Sequence, residues 1–141
     1  MRTNFIKFAM IIFVLSNLLL VSAQEMKQFS IQGDTNKSPF SYNIGEEMTF
    51  SFRVKTNGDC PENIYFKYFR RGDDGKTFSG QASACNELIL KTSLDRAGFV
   101  GIDVSLIDSN GKAILNKGKK VAFYAGAAVT PFLTVTVISS K

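Results

Sequence analysis

Apolar and polar positions alternate over most of the chain that follows the first two dozen residues. In the stretch 48–55, apolar side chains at the even positions alternate with polar ones, in the order Met48, Thr49, Phe50, Ser51, Phe52, Arg53, Val54 and Lys55. This period of two predicts a half-buried strand with one apolar face. Turn-forming residues at 44–47 and 56–59 bound the strand on both sides.

Residues 63–70 form a second predicted strand, which has aromatic side chains on both faces. One face carries Ile64, Phe66 and Tyr68, and the other carries Tyr65, Lys67 and Phe69. We expect such a strand to be central in its sheet or to carry a contact surface. Burial or docking to another domain is the favoured interpretation of Tyr65 and Phe69, and stacking on a sugar ring is the alternative. The absence of Trp, which offers the largest flat apolar ring, weakens that alternative.

Five further strands complete the predicted fold. They are expected at residues 76–80, 87–93, 99–107, 119–124 and 132–138. The segment 108–111 ends in Asn-Gly, a dipeptide that favours the positive φ angles of a type I′ hairpin turn. Short strands separated by turn signals every 8–12 residues or so predict an all-β, immunoglobulin-like antiparallel β-sandwich of about seven strands. A small closed barrel is the alternative architecture.

The last predicted strand has an apolar stripe formed by Leu133, Val135 and Val137. Small monomers rarely leave a contiguous apolar patch uncovered, and larger patches usually mark partner sites. We therefore expect this stripe, and a second one formed by Tyr65 and Phe69, to be the candidate partner surface of the domain.

The first 23 residues have the order of a signal peptide. Basic Arg2 and Lys7 precede a nearly unbroken apolar run over 8–21, and small or compact residues precede a cleavage point after Ala23. The apolar run is too short to span a bilayer comfortably, which makes an uncleaved membrane anchor the weaker alternative. We therefore predict a signal peptide over 1–23, a β-sandwich domain over 24–141, and a secreted or periplasmic protein that has no membrane contact after cleavage.

Cleavage after Ala23 is directly testable. We expect the exported protein to begin at Gln24, because the residues before that position satisfy signal peptidase. Intact mass or N-terminal sequencing of the exported protein measures this. An exported protein that still begins at Met1 would contradict the prediction.

Charge and cysteine content narrow the functional classes. Removal of Arg2 and Lys7 lowers the formal net charge from +5 to +3, and the remaining charges are scattered, so nucleic-acid binding is not supported.

The two cysteines, Cys60 and Cys85, both follow the signal peptide. In an oxidising compartment an even pair predicts a disulfide, and two independent buried thiols are the alternative.

The chain contains no histidine. This excludes Ser-His-Asp and Cys-His mechanisms and disfavours a zinc site. The nucleophile motif G-x-S-x-G is also missing. We therefore predict no catalytic residue, no metal site and no cofactor.

Loop aspartates offer two further candidate sites, a calcium site and an adhesion tripeptide. The candidates are Asp59, Asp73, Asp74 and Asp108, with Arg71-Gly72-Asp73 as the tripeptide. No EF-hand spacing is present, and Asp commonly caps turns through its side chain. Turn formation is therefore the favoured interpretation of all of them.

Five ordered segments carry a resemblance to a known family. They are Tyr42-x-x-Gly45-Glu46, Met48-Thr49-Phe50-Ser51-Phe52, Leu94-x-x-Ala97-Gly98-Phe99-Val100, Asp108-Ser109-Asn110-Gly111-Lys112 and Ala125-Gly126-Ala127-Ala128-Val129-Thr130-Pro131. Over residues 29–131 the chain resembles the N-terminal immunoglobulin-like domain of secreted acetyl xylan esterases of the Bacteroidetes type, which are related to cephalosporin-C deacetylases.

The resemblance implies a non-catalytic accessory domain of a carbohydrate esterase. In such enzymes a segment like 126–131 leads into an α/β-hydrolase domain that carries the catalytic serine, aspartate and histidine. No position up to Lys141 matches those residues, so we expect a product truncated or split from its hydrolase domain. The implied partner is a hydrolase domain or another protein domain. A free-standing glycan- or protein-binding module is the alternative, and an enzyme in its own right is the least favoured interpretation.

Overall fold

The computed structural model describes residues 27–37 and 42–131, and this part of the chain is all-β. It contains ten strands: β1 (Phe29–Thr35), β2 (Tyr42–Asn43), β3 (Met48–Thr56), β4 (Ile64–Gly72), β5 (Phe78–Ser83), β6 (Leu88–Thr92), β7 (Gly98–Asp108), β8 (Leu115–Asn116), β9 (Lys119–Lys120) and β10 (Ala122–Thr130). No helix that could cross a membrane occurs within these residues. The predicted signal peptide and the stripe of Leu133, Val135 and Val137 lie outside the described residues.

Two sheets form a β-sandwich, as predicted. One sheet has the order β1-β3-β6, and the other has the order β2-β10-β7-β4-β5. All pairings within them are antiparallel except that of β10 with β2, which is parallel. The short strands β8 and β9 form a separate hairpin before β10. The pairing of β3 with β6, and of β7 with β4 and β10, matches the B–E and C–F–G pairings of immunoglobulin folds.

The core lies between the two sheets and follows the alternation in the sequence. Met48, Phe50 and Phe52 of β3 are fully buried, and so is Phe66 of β4. From β7 the core receives Val100, Ile102, Val104 and Leu106. Because side chains in a strand alternate between its faces, the odd-numbered residues of β4 and β7 point away from the core. The predicted faces of these strands are therefore confirmed.

The turn after β7 differs from the predicted type. Gly111 has a φ of 80°, but Asn110 does not have the positive φ that a type I′ turn requires. Instead, the N–H of Gly111 donates to the carbonyl of Asp108, and the Asp108 carboxylate accepts from the N–H groups of Asn110 and Lys112. The side chain of Asp108 thus organises the turn, as its interpretation as a turn cap predicts.

Residues 126–131 were not predicted to form a strand. Most of this segment belongs to β10, which lies between β7 and β2. Ala127 and Val129 are buried in the core, and Ala127 pairs with Val100. Small side chains at these positions let β10 pack against the opposite sheet. The strand was therefore predicted too short, and β1 and β2 were not predicted at all.

The predicted disulfide between Cys60 and Cys85 is present, with the two Cα atoms 5.7 Å apart. It joins the loop after β3 to the loop after β5, so the covalent loop encloses β4 and β5. This connection lies at one end of the sandwich, and Cys60 packs against the core.

Candidate functional site

Exposed aromatic side chains concentrate on one surface of the molecule. Six large apolar residues are exposed within the described part of the chain, namely Ile44, Phe69, Ile89, Phe99, Leu115 and Tyr124. The three aromatic ones all lie on the outer face of the five-stranded sheet. We call this outer face, which carries Phe69, Phe99 and Tyr124, the aromatic face.

The strand register places the aromatic rings around a central carboxylate. Asp103 of β7 pairs with Phe69 of β4 on one side and with Tyr124 of β10 on the other. Neighbouring strands are about 4.8 Å apart, so the Cα positions of Phe69 and Tyr124 are about 10 Å apart across the sheet. Phe99 lies four residues before Asp103, about 13 Å along β7. The three residues therefore form a triangle on one face of the sheet.

Tyr124 lies flat on the sheet because two glycines leave room for its ring. A Cβ atom on Gly101 would lie 2.5 Å from Cε2 of Tyr124, and one on Gly126 would lie 3.0 Å from Cε1. The two edges of the ring thus cover the two glycines, and a side chain at Gly101 would displace the ring. Tyr124 nevertheless remains 59% exposed. One face of the ring packs on the backbone and the other faces solvent.

An ion pair lies beside these rings. Nε of Arg71 donates to Oδ2 of Asp103 at 2.8 Å, and a second guanidinium nitrogen contacts the same oxygen. The guanidinium carbon of Arg71 also lies 5.9 Å from the centre of the Phe69 ring, within the range of a cation–π contact. The pair is solvent-exposed, with 70% of the Arg71 side chain accessible. It can therefore offer both donors and acceptors to a ligand.

A shallow cavity of about 510 Å³ lies between the side chains of Phe69 and Tyr124. Phe69 and Tyr124 line it, together with Asp103. Polar groups of Lys67, Ser79 and Ser105 also line it. The cavity thus combines apolar ring surfaces with hydrogen-bonding groups.

The two predicted surface residues that the structure describes, Phe69 and Tyr65, differ in exposure. Phe69 is exposed on the aromatic face, whereas Tyr65 on the same face is half-buried beside Ile107 of β7. Sequence reasoning missed Phe99 and Tyr124. The signal for Phe99 was the alternation of β7, which places Phe99 opposite the buried Val100. No pattern indicated that Tyr124 would cover two glycines from different strands.

A second charged group, Arg70 with Asp74, is buried instead of exposed. Their side chains are 2% and 1% accessible, and two guanidinium nitrogens of Arg70 bind the two carboxylate oxygens at 2.8 and 2.9 Å. Arg70 also donates to the hydroxyl of Thr92 and to the carbonyls of Ser93 and Lys76. All five N–H groups of its guanidinium therefore have a partner.

The environment of Asp74 stabilises its charged form. The hydrogen bond from Arg70 is the main cause that lowers the pKa of Asp74 from 3.8 to about 2, although burial acts in the opposite direction. A carboxylate held ionised and fully paired in this way cannot readily exchange protons near neutral pH. We therefore interpret this pair as a structural element of the sandwich.

Two of the loop aspartates, Asp73 and Asp108, accept hydrogen bonds from the backbone through their carboxylates. The N–H of Gly75 donates to the carbonyl of Gly72, which closes the predicted turn. The Asp73 carboxylate accepts from the N–H of Phe99 at 2.8 Å. These contacts hold Asp73 of the Arg-Gly-Asp tripeptide against β7, while Arg71 is held by Asp103. Within residues 27–37 and 42–131, no group of three or more acidic or cysteine side chains is placed to hold a metal ion.

Comparisons with known proteins add little to this description. No family model matches the chain, and no curated protein matches it. A solved structure described as the X-ray structure of Northeast Structural Genomics Consortium target SoR45 is 12% identical, covering 83% of this chain and 93% of that chain, with a TM-score of 0.29. Similarity at that level carries no argument about function.

Proposed function

We propose that this chain is a non-catalytic accessory domain of a secreted carbohydrate esterase, and that it makes its contacts through the aromatic face. The observation that carries the proposal is the concentration of Phe69, Phe99 and Tyr124 on one exposed sheet surface. Exposed aromatic residues are enriched at binding surfaces because a large rigid ring loses little conformational entropy on binding. The resemblance to acetyl xylan esterase accessory domains supplies the biochemical setting.

The chemistry of the side chains supports a non-catalytic role. The chain has no histidine to act as a general base, and it has no nucleophile motif. The buried pair of Arg70 and Asp74 combines a shifted pKa with complete pairing, which suits a structural ion pair. We therefore assign the function of the chain to binding.

The proposed location is outside the cytoplasm, in the periplasm or the medium. The N-terminal order of basic, apolar and small residues supports export. The disulfide between Cys60 and Cys85 fits an oxidising compartment, where such bonds form and persist.

A free-standing binding module is the second candidate function. The observation that favours it is the exposed ring of Tyr124, which packs over Gly101 and Gly126 of the chain itself and needs no second domain to hold it in place. Both candidates use the aromatic face, and they differ in what covers it.

We expect the purified chain to have no esterase activity on acetylated model substrates. We also expect it to bind either an acetyl xylan esterase hydrolase domain or xylan, the polymer on which such an enzyme acts. Size-exclusion chromatography with a purified acetyl xylan esterase hydrolase domain tests the first contact, and co-sedimentation with insoluble xylan tests the second. In the contact that occurs, the double variant Phe69→Ser/Tyr124→Ser should be impaired, and Ile89→Ser, on the other sheet, should act as wild type. Turnover by the chain that exceeds a mock purification would refute the non-catalytic role. Absence of both contacts would refute the accessory role.

A further inference from the structure

We infer that the chain forms a symmetric dimer through strand β5, whose outer edge pairs antiparallel with β5 of a second copy. β5 is the last strand of the five-stranded sheet, and within residues 27–37 and 42–131 it pairs with β4 alone. The inference goes beyond the proposed function, and it does not depend on what the aromatic face binds.

The first argument is the row of backbone groups that β5 directs away from β4. In an antiparallel pair, the residues of each strand alternate between those that bond to the neighbouring strand and those that do not. The N–H of Ala84 donates to the carbonyl of Ile64, and this pair continues the register of β5 with β4. The N–H and C=O groups of Ser79, Gln81 and Ser83, at the alternate positions, therefore point to the open edge.

The second argument is that the residues of this edge do not prevent strand addition. Exposed edge strands commonly carry a charged residue or a proline, which blocks pairing with another chain. The two edge strands of the other sheet follow this pattern, since β1 contains Asp34 and β6 contains Lys91. β5 has the sequence FSGQAS, with neither a charge nor a proline. Among the described edge strands, of which β2 has only two residues, β5 is the long one without this protection.

The third argument is that the edge is complementary to itself. When two copies pair with Gln81 opposite Gln81, Ser79 of each copy lies opposite Ser83 of the other. This register pairs every outward N–H and C=O group of both strands, in about six hydrogen bonds. On the core side of β5, Phe78 and Ala82 are only partly buried, so the added strand also covers apolar surface.

The exposed charge closest to this edge on the sheet permits the pairing. Lys67 of β4 lies opposite Gln81 and shares a face with Ser79. In the dimer the two Lys67 residues would be three strand spacings apart, about 14 Å. Salt at physiological concentration screens exposed charges over about 8 Å, so their repulsion is weak.

The nearest charges beyond the ends of β5 have opposite signs. Lys76 precedes the strand and Glu87 follows it. Antiparallel pairing brings Lys76 of each copy towards Glu87 of the other, whereas parallel pairing would bring like charges together. Both side chains also form exposed ion pairs within their own copy, with Asp95 and Arg53 respectively, so this attraction is modest. The charge pattern favours a second copy, in the antiparallel direction, as the occupant of the edge.

Such a dimer would have one continuous sheet with both aromatic faces on the same side. This follows because the twofold axis would pass between the two Gln81 residues, perpendicular to the sheet. A partner with repeated sites could then bind both faces at once, which raises avidity without any new contact.

Sedimentation velocity of the purified chain, from micromolar to millimolar concentration, tests the inference. We expect a reversible monomer–dimer equilibrium for the wild type. Gln81→Lys and Gln81→Glu should each weaken the dimer about tenfold or more, because the register places two like charges directly opposite one another. An equimolar mixture of the two variants should restore dimer formation. Gln32→Lys, the same change at an exposed position of edge strand β1, should dimerise as wild type.

Amide hydrogen exchange identifies what covers the edge. In the dimer, the N–H groups of Ser79, Gln81 and Ser83 should become protected as the protein concentration rises. Protection that does not change with concentration would show that another segment of the same chain, such as 132–138, covers the edge, and this would overturn the inference. A chain that stays monomeric at millimolar concentration would also overturn it, as would a dimer that neither charged variant of Gln81 weakens.

Discussion

Replacement of Arg70 by methionine is expected to lower the free energy of unfolding by about 3–5 kcal/mol, the cost typical of breaking a buried ion pair from one side. The Asp74 carboxylate would remain buried without its partner. The carbonyls of Lys76 and Ser93 would lose a donor as well. Since domains of this size are stable by only about 5–15 kcal/mol, the variant should be close to the limit of folding.

Arg71→Met is the matched control, because Arg71 is the next residue on β4 and also forms an ion pair. Its pair with Asp103 is exposed, so we expect its removal to cost about 1 kcal/mol or less. Denaturant unfolding of both variants under identical conditions gives the comparison. Equal effects at the two positions would show that burial does not distinguish the two ion pairs.

Acid should remove the contribution of the buried pair. The pKa of Asp74 in the folded protein, about 2, lies below its ordinary value of 3.8. A lowered folded-state pKa adds stability that is fully present above the ordinary value and is lost as the pH falls through the folded value. Between pH 4 and pH 2, roughly, wild-type stability should therefore fall more steeply than that of Asp74→Asn, whose side chain does not titrate. An equal dependence of stability on pH in the wild type and in Asp74→Asn would contradict the lowered pKa of Asp74.

Removal of the disulfide is expected to have the second largest effect, about 3.5 kcal/mol. The bond closes a loop between residues 25 positions apart, and that loop length sets the entropy that the unfolded chain regains. Cys60→Ser/Cys85→Ser should therefore unfold at lower denaturant concentration than the wild type. Wild-type protein reduced before unfolding should match the double variant. A double variant as stable as oxidised wild type would show that the cross-link does not constrain the unfolded chain.

The sequence predicts the strands whose apolar residues alternate cleanly. In β3 the series Met48, Phe50 and Phe52 identifies both the strand and its buried face. β10 was predicted too short because residues such as Gly126 and Ala127 have low strand propensity, and their burial depends on the opposite sheet. β2 has two residues, too few to show any period.

The buried charge had a partial signal in the sequence. Arg70 continues the inward series Ile64, Phe66 and Tyr68, so alternation alone places it in the core. A charged residue at such a position requires a partner, and Asp74 is close enough in sequence to provide one across the turn. The contacts to Thr92 and Ser93 depend on packing between the sheets, which no local pattern shows.

The candidate site was predicted only in part, because its arrangement also depends on contacts between strands. Phe69 could be recognised from its own strand. The placement of Asp103 between Phe69 and Tyr124 depends on the register of three strands, which is determined by pairing over long distances along the chain. Tyr124 also needs Gly101, 23 positions away, to lie flat.

Amide chemical-shift mapping of the full chain is the most direct test of the aromatic face as the contact surface. The labelled protein would be titrated in parallel with a neutral xylo-oligosaccharide and with a purified hydrolase domain. We predict shifts clustered at Phe69, Asp103 and Tyr124, with Ile89 on the opposite sheet unchanged. Shifts confined to the other sheet or to the loops, or no shifts with either partner, would contradict the account.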